Sequence, residues 1–202
     1  MANIIQFPSQ KGQSGLKRVK KKTQIELKRT DQIDLFKEDG PQANIYIMPT
    51  DMSPFERALI LDEKGDDGAK EAYEKALENE DCTADAYCNL GILEYEEGST
   101  VKAIDRFTLS LKADPRHFES HYNLANLYSE LGNLPLAKTH YEFARELQPD
   151  FPDICFNLGI VYAMMRDYQS SVKVLSEYKE MVPKEEGENA ERLIESIKKI
   201  TG

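Results

Sequence analysis

The stretch "HYNLANLYSELGN", residues 121–133, decides the fold once it is compared with the rest of the chain. A step of 34 residues upstream gives "YCNLGILEYEEGS" (87–99), and the same step downstream gives "CFNLGIVYAMMRD" (155–167). Asn, Leu and a small residue recur at one phase: Asn89-Leu90-Gly91, Asn123-Leu124-Ala125 and Asn157-Leu158-Gly159. A fixed period of this length marks units that bury their apolar faces only by stacking on one another.

Three units align without gaps, 84–117, 118–151 and 152–185. Their eighth positions are small (Gly91, Ala125, Gly159), as are their twentieth (Ala103, Ala137, Ser171). Two helices of a hairpin can therefore approach closely. The twenty-fourth positions are bulky (Phe107, Tyr141, Leu175), and each unit closes on Pro at the thirty-second (Pro115, Pro149, Pro183). Proline ends a helix and redirects the chain. Gly98 and Gly132 suit a tight interhelical turn with positive φ. These residues resemble the tetratricopeptide repeat (TPR) pattern, and the resemblance implies an all-α fold, a right-handed α-solenoid of helical hairpins.

Residues 50–83 read as a degenerate repeat: Ala69, Tyr73, Ala76 and Leu77 fall in second-helix phase, but Asp81 stands where the Pro is expected. In the last repeat Arg166 replaces the turn glycine and Tyr178 occupies a site that is usually small. Residues 186–202 place Ala190, Leu193, Ile194, Ile197 and Ile200 on one stripe, the pattern of a capping helix. The organisation expected is a basic, flexible segment 1–49, four repeats over 50–185, and the cap. The apolar run "ANIYIMP" (43–49) is β-favouring, with no pairing partner evident.

Charge divides the same way. The chain carries −10 overall, yet residues 1–30 hold eight Lys or Arg against the single acid Glu26, leaving −17 on the remainder. An acidic body with a basic head is a two-part design. No apolar run reaches membrane-spanning length, and "MANIIQFPSQ" has no basic n-region before an apolar stretch. The three cysteines, 82, 88 and 155, form no C-x-x-C pair, which fits a reducing cytoplasm.

The recurrent Asn occupies the sixth position, on the first helix, which in a TPR hairpin lines the concave side. An Asn there can bond to the next repeat and fix its stacking. It can also offer a donor and an acceptor side by side, the complement of a peptide unit. Asn89, Asn123 and Asn157 then resemble the asparagine ladder in the TPR superhelix of O-linked N-acetylglucosamine transferase, without any catalytic domain. A chaperone-binding carboxylate clamp also uses this Asn but adds cations. The second positions here are Asp85, Glu119 and Asp153, which would repel a carboxylate tail. Tyr122 and Phe156, with Ile92, Asn126 and Ile160, complete the expected surface.

The function read from these residues is a protein-interaction adaptor that binds an extended polypeptide, basic or neutral with apolar anchors. The chain's own head fits that description: "LKRVKKKTQIELKR" (16–29) is basic with spaced apolar residues. The expectation is that residues 1–49 occupy the groove of the same or a neighbouring molecule and compete with external ligands. The alternative is a regulator tethered to nucleic acid through Lys17-Arg18-Val19-Lys20-Lys21-Lys22. The acidic body disfavours that reading, and no DNA- or RNA-binding module accompanies the cluster. Catalysis is not expected. His117 and His121 stand four apart but lack further ligands in phase, and no phosphate loop or nucleophile motif occurs, so no cofactor or metal is implied.

Overall fold

The computed structural model describes residues 15–20 and 52–201, and these comprise nine helices joined by short turns, with no strand among the described residues. The run 43–49 and most of the basic head lie outside them. The described residues divide into two compact units, one of residue 20 with 52–81 and the other of residues 15–19 with 82–201.

The smaller unit is a hairpin of α1 (Pro54–Glu63) and α2 (Ala69–Glu78). Ser53 and Glu56 form a reciprocal capping box at the start of α1, and Pro54 adds a pre-set φ. Phe55 and Tyr73 meet inside it at a 5.9 Å centroid separation, and Ala69 and Ala76 are buried beside them. Asp81 accepts a hydrogen bond from the Phe55 amide at 2.9 Å.

The larger unit contains three hairpins and a last helix. They are α3 (Thr83–Glu96) with α4 (Thr100–Ala113), α5 (Phe118–Glu130) with α6 (Leu134–Leu147), α7 (Pro152–Met164) with α8 (Tyr168–Met181), and α9 (Lys184–Thr201). Gly98 and Gly132 turn the first two hairpins at φ of 80° and 74°. Arg166 does the same work in the third at φ 63°, so the fold imposes the left-handed turn even where no glycine relieves it.

Close approach within hairpins explains the small eighth positions. A Cβ on Gly91 would lie 2.7 Å from the Phe107 ring, and one on Gly159 would lie 2.6 Å from Leu175 Cγ. The twentieth positions Ala103, Ala137 and Ser171 are fully buried, and the Ser171 hydroxyl donates to the Gly159 carbonyl at 2.7 Å. That bond lets a polar residue fill a core site. Tyr178, too large for the usual site, tilts against Phe156 at 5.1 Å and contributes to the cluster shared by α8 and α9. Ala190, Leu193, Ile194 and Ile197 of α9 complete this cluster. Burying three such aliphatic side chains contributes on the order of 5 kcal/mol before entropy is counted.

Candidate functional site

Residues 15–19 run as an extended strap across α3 and α5, and two of the recurrent asparagines hold its main chain. The Lys17 N–H donates to Asn123 Oδ1 at 2.6 Å, and Asn123 Nδ2 donates back to the Lys17 carbonyl at 3.0 Å. Two residues on, the Val19 N–H donates to Asn89 Oδ1 at 2.9 Å while Asn89 Nδ2 donates to the Val19 carbonyl at 3.3 Å. Asn126 Nδ2 adds a bond to the Gly15 carbonyl at 2.6 Å. Alternate residues of an extended chain present their main-chain groups to the same side. Gly15, Lys17 and Val19 therefore meet the amides, and the strap runs against the order of the repeats.

The strap's side chains find separate seats. Leu16 and Val19 pack against the cluster of Cys88, Ile92, Leu124 and Leu127. The Lys17 ammonium lies 3.9 Å from the Phe151 ring centroid and 4.5 Å from that of Phe118. Those rings meet edge to face, 87° apart at 5.4 Å. Burial lowers the Lys17 pKa from the ordinary lysine value, and the negative charges of Glu119 and Asp153 oppose that shift. The Arg18 guanidinium grips both oxygens of Glu96, at 2.8 and 2.6 Å. All of these acids belong to the −17 part of the chain.

A second layer orients the amides. Tyr141 donates to Asn126 Oδ1, which leaves the Asn126 amide nitrogen for Gly15. Burial raises the Tyr141 hydroxyl well above its ordinary pKa, so it stays a donor. Asn157 has the same helical phase as Asn89 and Asn123, yet its Nδ2 donates to the Tyr122 hydroxyl and to Asn126 Oδ1, each at 3.3 Å.

The other predicted residues separate by burial. Ile92, 1 % exposed, belongs to the cluster on which Leu16 and Val19 rest, and Tyr122, 4 % exposed, lies against the rings of Phe118 and Phe151. Phe156 and Ile160 pack against the cluster that α9 completes, because α9 covers the end of the stack where they lie. The Asp85 carboxylate is 2.9 Å from His117 Nε2, which ties that acid to the α5 N-terminus. His117 caps α5 by accepting the Ser120 amide at Nδ1. His121 donates from Nε2 to the Pro115 carbonyl, and its Nδ1 lies 3.0 Å from Nδ1 of His140. The histidines thus serve helix junctions, and no group of three metal-ligating side chains occurs among the described residues. Cys88 is buried and its thiol is pushed up to about 12, mainly by desolvation, which makes it unreactive.

Phe118, Phe151 and Glu96 were absent from the expected surface. A signal for the two rings existed: they occupy the first and last positions of the central repeat, where the chain passes between hairpins.

Residues 118–151 match the family model of the tetratricopeptide repeat. Tetratricopeptide repeat protein 8 of Mus musculus is 34% identical over 101 residues, covering 48% of this chain and 20% of that protein. The chain thus spans about one fifth of the curated relative it matches. Among solved structures, a tetratricopeptide repeat protein from Parabacteroides merdae superposes with a TM-score of 0.64 at 22% identity, covering 74% of this chain and 59% of the other. YrrB, described as a TPR protein with an unusual peptide-binding site, gives 0.60 at 21% identity over 71% and 82%. No helix among the described residues is long and apolar enough to cross a membrane.

Proposed function

The chain is a tetratricopeptide repeat protein, and from that premise we propose that it is a protein-interaction scaffold that grips an extended polypeptide on the face of α3 and α5. The observation that carries this reading is the paired, two-way hydrogen bonding of Asn89 and Asn123 to main-chain groups two residues apart. Such a grip ignores side chains and suits any extended segment of the right shape. YrrB, which shares the fold, has a peptide-binding site, and a comparable use is proposed here.

Residues 15–19 act in this reading as an internal occupant that outside ligands must displace. A tethered segment has an effective concentration on the order of millimolar, so a free ligand competes at a disadvantage until the strap leaves. The contacts of Lys17 and Arg18 with Phe118, Phe151 and Glu96 also favour a polypeptide partner over a polyanion, since both cations are already engaged by the protein.

The test uses the full-length chain with Leu16→Asp and Val19→Asp, which removes two apolar contacts and adds charge of the same sign as Glu96. A labelled peptide copying residues 14–21, SGLKRVKK, should bind this variant and bind wild type at least tenfold more weakly. Adding Asn89→Ala and Asn123→Ala should abolish binding while far-UV circular dichroism stays unchanged. Equal affinity with and without those amides would overturn the proposal.

A further inference from the structure

The grip of Asn89 and Asn123 cannot choose among sequences, so selectivity must come from the side-chain seats. Main-chain pairing of this kind is also degenerate in register. A slip of one residue turns the wrong side of the extended chain to the amides, but a slip of two restores every hydrogen bond. Some side chain has to break that degeneracy.

The seats differ in how well they can do so. Leu16 and Val19 rest on an aliphatic surface that accepts any branched side chain of similar size. Arg18 and Glu96 are 30% and 43% exposed, and an ion pair so open to water discriminates weakly. Lys17 is different. Its ammonium is held over two aromatic rings set at right angles, with Glu119 and Asp153 adding negative potential. An aromatic corner of this kind attracts a cation through the ring quadrupole, and more strongly as water is excluded. It offers nothing comparable to a neutral side chain.

We infer that the corner formed by Phe118, Phe151, Glu119 and Asp153 is a lysine-reading subsite, and that the scaffold's partner is an extended segment of the order aliphatic–Lys–Arg–aliphatic. The inference rests on the scaffold reading and deepens it. The strap's own composition supports this register. Moving residues 15–22 along by two would place Val19 in the corner. Moving them by four would restore a lysine there, Lys21, but would seat Lys20 and Thr23 where Leu16 and Val19 now lie. Only the observed alignment satisfies the corner and both aliphatic seats together.

Three peptides measured by fluorescence anisotropy against the strap-disabled full-length chain test this. The first is SGLKRVKK. The second carries norleucine in place of the lysine that copies Lys17, and the third carries norleucine in place of the arginine that copies Arg18. The last two have the same net charge, so general attraction to an acidic protein affects them equally. The lysine replacement should weaken binding by about tenfold or more, and the arginine replacement by less than about threefold. On the protein side, Phe151→Leu should weaken SGLKRVKK by about tenfold and leave the lysine-replaced peptide unchanged. Should Phe151→Leu disturb the fold, Glu119→Gln with Asp153→Asn provides the same comparison from the rim of the corner. Equal binding of the two norleucine peptides would overturn the lysine subsite while leaving the scaffold reading intact. Failure of all three peptides to bind the strap-disabled chain would remove both.

Discussion

Asn89 and Asn123 differ from Asn157 in what they hold, although all three share one helical phase. The first two meet the main chain of Val19 and Lys17, whereas Asn157 donates to Tyr122 and to Asn126. Phase sets where a side chain sits; its neighbours set what it bonds. Around Asn157 those neighbours include a tyrosine hydroxyl from the preceding repeat and the amide oxygen of Asn126. Around Asn123 and Asn89 lies an extended segment whose Lys17 and Val19 peptide groups face them. The lesson is that a periodic polar residue in a solenoid has one geometry and several possible jobs.

Replacing both Asn89 and Asn123 by Ala should separate the jobs most sharply. Four hydrogen bonds to the strap vanish, each with a net contribution of about 1 kcal/mol. Amide hydrogen exchange at Lys17 and Val19 should accelerate by roughly two orders of magnitude or more. Asn157→Ala should change the same two amides by less than about fivefold, since it costs the network around Tyr122 on the order of 1 kcal/mol at most. Equal acceleration in both variants would erase the distinction between the asparagines.

The eighth positions sharpen it from the packing side. The central repeat has Ala125 there, against Gly91 and Gly159 on either side. Gly91→Ala would drive a methyl into the Phe107 ring and Gly159→Ala one into Leu175. Overpacking of this kind costs about 1–3 kcal/mol, measurable as a lower urea midpoint at constant slope. The flat, rigid Phe107 yields less than the branched, rotatable Leu175, so Gly91→Ala should be the more harmful. Relief of that cost by a second change, Phe107→Leu, would tie the effect to the ring.

The repeat phase, the hairpin turns and the small-residue contacts were legible in the sequence because each follows from local spacing. Arg166 shows where that reasoning ends: its φ of 63° is set by the hairpin and not by its own preference. The surface was harder to read. Ile92 and Tyr122 fall in first-helix phase, but how deep each sits depends on what covers it, and Ile92 is buried in the cluster that Leu16 and Val19 pack against. Phe156 and Ile160 are taken up at the end covered by α9. Phe118 and Phe151 are distant by 33 positions and meet only because the chain turns between α6 and α7. The charge split pointed to the strap, yet its two-residue register with Asn123 and Asn89 needed coordinates.

Acid should loosen the central hairpin through His121 and His140. Burial lowers the His140 pKa to about 4, with the neighbouring His121 contributing, and burial lowers His121 as well. A histidine whose folded pKa lies below its unfolded value of about 6.5 stabilises the fold fully above that value. The contribution is lost as pH falls from about 6.5 towards 4. Allowing for the partial exposure of His140, the loss should be about 1–2 kcal/mol at pH 4.5 relative to pH 7.5. His140→Phe should flatten the thermal midpoint over this interval compared with wild type. An unchanged slope would assign the acid sensitivity to other groups.

The smallest effect should come from Arg18 and Glu96, despite the short distances in their two-pronged contact. Both side chains are open to water, so the pair gives up hydration and side-chain freedom for an attraction that solvent already screens. Arg18→Gln should raise strap exchange by less than about threefold, near 0.5 kcal/mol, and added salt should remove even that difference. The asparagine grip, made of neutral amides and peptide groups, should respond far less to salt. Strap exchange that rises steeply with salt in wild type would reverse this ranking and make charge, not the amides, the principal hold on residues 15–19.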